Sequence, residues 1–194
     1  MSDHRPEEVA IELVNTVAWR GDPARTEDRI ADWPALTAWV TRVGLLSRAE
    51  TVAMAEAADL APAEAERAVA DVRDLRETVY GVLLAVAGST PPAAPDLDAL
   101  DLAVVDALRH ASLRSAAPPS WELTPTRPRD LARICALAVL ALLQELDGSR
   151  LKRCEDGDCR FFFVDHSRSH SRRWCSSADC GNRERVRRHY ARQR

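Results

Sequence analysis

The chain has 194 residues, 46% hydrophobic and 29% charged, with a formal net charge of −3, the balance of one or two ordinary globular domains. No stretch reaches about 18 uncharged apolar residues, which argues against a helical membrane span, and the opening MSDHRPEEVA carries acids where a secretory signal needs an apolar core. Residues 150–194 hold 13 basic against 6 acidic side chains, or +7, leaving −10 on residues 1–149. A basic module on an acidic body points to an anionic partner, or to attraction between the two parts.

Residues 1–148 read as a mainly α N-terminal domain. Pro6-Glu7-Glu8 opens an apolar run from Val9 to Val17 that stops near Trp19-Arg20-Gly21-Asp22-Pro23. Trp33, Leu36, Trp39, Val40 and Val43 recur at spacings of three and four and predict a second helix, with Gly44 as its C-terminal cap. Ser47 and Glu50 make the capping box of a third. Pro62 suits the first turn of a fourth, whose stripe Val69, Val72, Leu75, Val79, Leu83 and Val86 closes at Gly88. Residues 89–95 read as a turn and 97–108 as a further amphipathic helix. Ala116-Ala117-Pro118-Pro119, between Leu113 and Trp121-Glu122-Leu123, predicts a short β-hairpin. Arg129 to Leu146 is the most apolar helix and the expected centre of the core. Cys135 lies inside it with no second cysteine or histidine nearby, and is expected to be a buried structural thiol.

One N-terminal cluster mixes hydrogen-bonding groups with an aromatic: Asn15, Thr16, Trp19 and Arg20. On one helix, positions 16, 19 and 20 would share a face. These side chains could line a pocket for a small-molecule effector, making the acidic domain a sensor. The blander reading is that they cap helices or tie a loop down.

The other four cysteines all fall in residues 149–194. They are spaced C-x4-C, a 15-residue interval, then C-x4-C: Cys154, Cys159, Cys175 and Cys180. Each pair supplies two thiolates from one tight turn, and the chain between folds back to bring the pairs around a tetrahedral cation. Protein sulfur then fills every position, so the expected cofactor is one structural Zn2+. His166, His170 and His189 are spare. A pair of disulfides is the alternative, disfavoured in a chain expected to work in the cytoplasm. Glu155-Asp156-Gly157-Asp158 suits a knuckle, Phe161 to Val164 a strand, and Arg183 to Arg192 a helix. Knuckle, hairpin, then a knuckle feeding a helix is the order of a treble-clef zinc finger, a small α+β fold.

The segments SRRWC, CGNR and RRHYARQR resemble the CGNR zinc-finger family. LVNT at Leu13–Thr16, Trp19-Arg20 and Arg150-Leu151-Lys152-Arg153-Cys154 are similar to the same family's architecture, in which an ABATE domain precedes the finger. The resemblance spans essentially the whole chain; a small departure is Ser169, where Asn is more usual. Family members are described as stress-induced transcription regulators, so the resemblance implies DNA as partner. Lys152 is the one lysine among 27 basic residues, a bias expected of a GC-rich bacterial genome.

With about 100° per residue from Cys180, Val186 and Tyr190 share a face expected to pack on the Phe161–Phe163 hairpin. Arg185, Arg188 and Arg192 then face solvent, and Arg183 and Arg187 border the buried stripe. Arg168, Arg172 and Arg173 lie on the loop before the second knuckle. Together they offer a surface for phosphate or guanine edges. Arg183 is expected to pair with Asp165, and Asn182 to satisfy backbone groups at the knuckle. The finger also fits a protein- or RNA-interaction module, or a structural brace on a small-molecule-binding protein. One finger has a small footprint, which favours a homodimer. No glycine-rich phosphate loop, nucleophile elbow or catalytic-metal spacing suggests an enzyme.

Overall fold

A computed structural model describes residues 6–116 and 118–193; MSDHR at the start and Ala117 of the expected hairpin turn lie outside the described residues. In chain order the elements are α1 (Pro6–Val14), β1 (Val17–Ala18), β2 (Glu27–Asp28), α2 (Trp33–Arg42), α3 (Arg48–Leu60), α4 (Pro62–Ala87) and α5 (Ala94–His110). They continue with β3 (Ser112–Arg114), β4 (Ser120–Glu122), α6 (Asp130–Glu145), β5 (Leu151–Arg153), β6 (Phe162–Val164) and α7 (Cys180–Ala191). The strands form three antiparallel pairs, β1–β2, β3–β4 and β5–β6. No helix among the described residues is long and apolar enough to cross a membrane.

Local chemistry sets most of the helix ends. Asp32 Oδ1 accepts from the Ala35 amide at 2.9 Å to start α2. Gly44, at φ 79°, ends it, letting the Leu45 amide reach back to the Val40 carbonyl at 2.9 Å; the left-handed conformation is one that favours glycine. Ser47 and Glu50 exchange both bonds of the capping box at α3. The fifth helix begins at Ala94, earlier than expected, because Pro95 occupies its first turn, where the preset φ of proline is at home.

The core is formed where α6 packs on α1, α4 and α5. Leu131, Val139 and Leu142 of α6, Leu13 and Val14 of α1, and Val72 and Leu83 of α4 are almost wholly buried there. Cys135 is 1% exposed, and burial alone pushes its thiol up to about 12. The same cluster takes in Leu151 of β5 and Phe162 of β6, so the β5–β6 hairpin is seated on the helices.

A buried ion pair fastens the short β1–β2 ribbon. Arg76 of α4, 3% exposed, holds both Asp28 oxygens of β2 at 2.7 and 3.0 Å. Burial alone would raise the Asp28 carboxyl; the bond from Arg76, the Ile30 amide and the charges of Arg76 and Arg73 outweigh it and hold it below its ordinary value. Neither the ribbon nor this pair is legible in the sequence pattern.

Candidate metal centre and basic helix

The β5–β6 hairpin closes with the Cys154 amide donating to the Phe161 carbonyl at 2.7 Å, which sets Cys154 and Cys159 on either side of the first knuckle. Inside it, the Asp156 carbonyl accepts from the Cys159 and Arg160 amides, and Arg160 turns the chain at φ 58°. The second knuckle is tied by Ser176, whose hydroxyl donates to Asp179 at 2.7 Å and accepts from the Asp179 amide. Its carbonyl takes the Gly181 amide at 3.0 Å. Cys180 then opens α7.

The sulfurs of Cys154, Cys159, Cys175 and Cys180 lie within 4.8 Å of one another, with Cys159–Cys175 at 3.6 Å and Cys175–Cys180 at 3.5 Å. Tetrahedral Zn–S bonds of about 2.3 Å imply sulfur–sulfur edges of about 3.8 Å. The cluster fits that cage, and all five cysteines of the chain are free of disulfides. Four thiolates fill the coordination sphere, so the centre suits one structural zinc ion and leaves no position for a reactive water.

Arg183 braces the centre. Its guanidinium donates to Cys180 Sγ at 2.8 Å and to Asp156 Oδ2 at 3.0 Å. Arg187, one turn on, reaches Asp158 at 2.7 Å and Asp156 at 3.4 Å. The Asp156 side chain is fully buried. Its burial would raise the carboxyl, but bonds from Arg183 and the Asp158 amide, with the charges of Arg183 and Arg187, bring it below the ordinary carboxylate range. The expected Arg183–Asp165 pair is therefore corrected. Asp165, also fully buried, is taken by Lys152 at 3.0 Å and by the Ser167 and Arg172 amides. Ser167 is the largest influence holding its carboxyl well below the usual range. Asp156 lies in the knuckle that the first turns of α7 cross, and Asp165 lies after β6.

The orientation of α7 is a second correction. Val186 and Tyr190 are 46% and 65% exposed and do not pack on the hairpin. The two phenylalanines of β6 have no surface to spare. Phe162 faces the helical core, edge-on to Tyr80 at 5.4 Å, and Phe163 packs beside the cysteines with Arg172 4.4 Å above its ring. Two ion-paired arginines, Arg183 and Arg187, form the anchoring face instead. From Arg185 to Gln193 every residue of α7 and its end is exposed. At 100° per residue, Asn182, Arg185, His189 and Arg192 lie opposite the anchor. Asn182 is exposed and bonds to no described residue, so the knuckle backbone is served by Ser176 and not, as expected, by Asn182.

The other arginines are divided by their partners. Arg168 and Arg192 are exposed and make no ion pair among the described residues. Arg185 donates to the Ser177 carbonyl at 3.2 Å and Arg188 pairs with Glu184 at 3.2 Å. Arg172 is bound to the Trp174 and Cys175 carbonyls, Arg173 to Glu155 and Arg187 to the knuckle carboxylates.

The N-terminal cluster meets the finger directly. The Asn15 amide donates to the Phe162 carbonyl and accepts from the Phe162 amide, both at 2.9 Å. Thr16 is buried, donating to the Leu13 carbonyl at 2.6 Å and accepting from Arg76. Trp19, at φ 58°, is stacked between the guanidinium groups of Arg25 at 3.6 Å and Arg183 at 4.5 Å. Arg20 grips both Glu77 oxygens at 2.7 and 3.0 Å and lies over Tyr80. The Gly21 amide donates to the Asp158 carbonyl at 3.0 Å. Asn15 and Trp19 are thus spent on tying this loop to the finger, and Thr16 and Arg20 on tying it to α1 and α4. The carboxylate that organises α7, Asp156, was masked in the sequence by its place in a run of turn-forming residues.

Compared with known families, residues 150–193 match the family described as "CGNR zinc finger". Residues 7–145 match ABATE, described as "Putative stress-induced transcription regulator". No curated protein matches the chain.

Proposed function

We propose that this chain, which belongs to the ABATE family and carries a CGNR zinc finger, is a cytoplasmic transcription regulator that lays α7 in the major groove of DNA. Residues 149–194 are the DNA-binding unit and residues 1–148 respond to a small-molecule effector. The observation that carries this reading is the stance of α7: anchored on one side by the metal knuckles, it exposes the opposite, basic face along its whole length. A 12-residue helix is about 18 Å long, enough to follow a groove for several base pairs.

The residues on that face have the right chemistry. Asn pairs two-pronged with adenine and Arg with guanine in the major groove, which suits Asn182 and Arg185. Arg168, Arg188 and Arg192 suit phosphate, the contact that fixes register. Arg185 and Arg188 would exchange the Ser177 carbonyl and Glu184 for DNA; Arg172, Arg173 and Arg187, bound to finger carbonyls and carboxylates away from that face, contribute field more than contact. Duplex RNA has a deep, narrow major groove that does not admit a helix, which favours DNA. A single short helix reads few base pairs, and a homodimer would double the site.

Fluorescence anisotropy with duplex DNA over a salt series tests the reading. Replacing Arg185, Arg188 and Arg192 together with Ala should weaken binding and flatten the plot of log affinity against log salt by about 0.9 for each phosphate no longer neutralised. Zinc content should not change. Asn182→Ala should relax preference at one base pair and leave the slope alone. A triple variant with unchanged affinity and slope would remove α7 from the interface.

A further inference from the structure

A cavity of about 620 Å³ opens where α1 and α2 meet the segment leading into β6, within the size range of small-molecule sites. Ala35, Ala38, Trp39 and Phe161 give it apolar walls; of its charged residues Arg29, Arg42 and Glu12, Arg42 is paired with Glu12 at 2.9 Å. Arg29 is loosely engaged: its only ion pair among the described residues is with Glu27 at 3.4 Å, and both side chains are more than half exposed. A guanidinium has five N–H donors, so most of the bonding capacity of Arg29 is unspent. Its charge lies over the Phe161 ring, 6.0 Å from the centroid, so a cation and an aromatic ring meet at one wall. Trp39 is 4% exposed, and its indole N–H is buried with no acceptor among the described residues. A buried donor without a partner calls for a water or a ligand oxygen.

We infer that this cavity binds a small aromatic carboxylate, its ring against Phe161 and its carboxylate on Arg29. This gives the effector proposed above a chemical class and a place, and rests on that reading. Asn15, Arg29 and Phe161 also line a second cavity of about 440 Å³ that runs on to Cys175, Ser176 and Arg183. An occupant of the first would therefore press on side chains that border the metal centre. The candidates singled out by sequence change role: Asn15 and Thr16 are wall, held by their own bonds, while Arg20, committed to Glu77, lines neither cavity.

Calorimetry on the full zinc-loaded protein tests the assignment, with benzoate and indole-3-acetate as probes and their neutral amides as controls. At least one carboxylate should bind with a Kd below about 1 mM, and its amide about tenfold more weakly, as expected for loss of a charge-assisted bond. Arg29→Gln should weaken the carboxylate by about the same factor. Ala38→Phe, at an exposed wall position, should block it while zinc content and helicity stay as they are. Absence of binding, equal binding of acid and amide, or wild-type affinity in both variants would overturn the inference. DNA anisotropy with the carboxylate at saturation tests the effector role apart from the site. An unchanged DNA affinity there would end the effector reading while leaving the calorimetric assignment intact.

Discussion

Asn15→Ala should unseat the finger from the helices. Phe162 pairs with Arg153 across the hairpin, yet its own amide and carbonyl both bond to Asn15, so one side-chain amide substitutes for a third strand. Two such bonds contribute about 1 kcal/mol each net. Removing Asn15 also strands two polar groups on a residue that is 1% exposed, where an unmet group costs about 1–3 kcal/mol. Asn15 itself is half-buried, so water can enter the gap and the lower part of the range applies, giving about 2–4 kcal/mol in all. Urea unfolding of the zinc-loaded protein measures the loss, and hydrogen exchange at the Phe162 amide localises it. Asn15→Asp offers a sharper form of the same test. It keeps an acceptor for the Phe162 amide but sets a carboxylate oxygen against the Phe162 carbonyl; it should be as damaging at neutral pH and recover in acid, where the protonated group can donate. An Asn15→Ala protein within about 0.5 kcal/mol of the parent, with Phe162 exchange unchanged, would refute the clamp.

Elemental analysis should give one zinc per chain, lost in Cys154→Ser and Cys180→Ser and kept in Cys135→Ser. A chelator should remove the folding free energy that zinc supplies, about 10–16 kcal/mol apparent in finger peptides, and circular dichroism should show α1–α6 still helical. Asp28 has a folded pKa below its ordinary 3.8, so its contribution is full above that value and is lost as pH falls through the lower folded one. Asp28→Asn should cost about 3 kcal/mol at neutral pH, the low end for a broken buried pair because Glu77 still partners Arg76, and should flatten the acid arm of a stability–pH profile. A Cβ at Gly21 would meet the Gly157 carbonyl oxygen at 1.8 Å, whereas one at Gly157 meets nothing within 4 Å. Gly21→Ala should therefore lower the thermal midpoint and Gly157→Ala should not; equal midpoints would mean the loop does not rest on the knuckle.

What the sequence made legible was set by near neighbours. Ser47 with Glu50, Gly44 after Val43 and Pro62 at a helix start each act within one turn, and the helices fall close to where those residues predict. The four cysteines are legible because a tetrahedral ion imposes its own spacing. What was hidden depends on partners far along the chain. Strands of two residues, such as β1 and β2, carry no periodicity, and the pair of Arg76 with Asp28 joins residues 48 apart. The sequence leaves Asn15 open between a ligand contact and a loop tie because its partner is 147 residues away and is backbone, which leaves no trace in side-chain identity. The roll of α7 was misjudged for a different reason. In so polar a helix two apolar residues are weak guides, and carboxylates in a turn-forming run choose the inner face.

The same 147-residue separation constrains how the protein is made. A chain synthesised from its N-terminus presents α1 through α6 well before β6 appears, so the platform that carries Asn15 can be assembled before the strand it completes. The first sulfur pair emerges next, and two thiolates hold a metal only partially. Cys175 and Cys180 follow, carrying α7 with them. Ion capture thus waits on the second pair, and an interrupted translation product ending short of Cys180 would have its helical body and neither a complete zinc cage nor a basic helix.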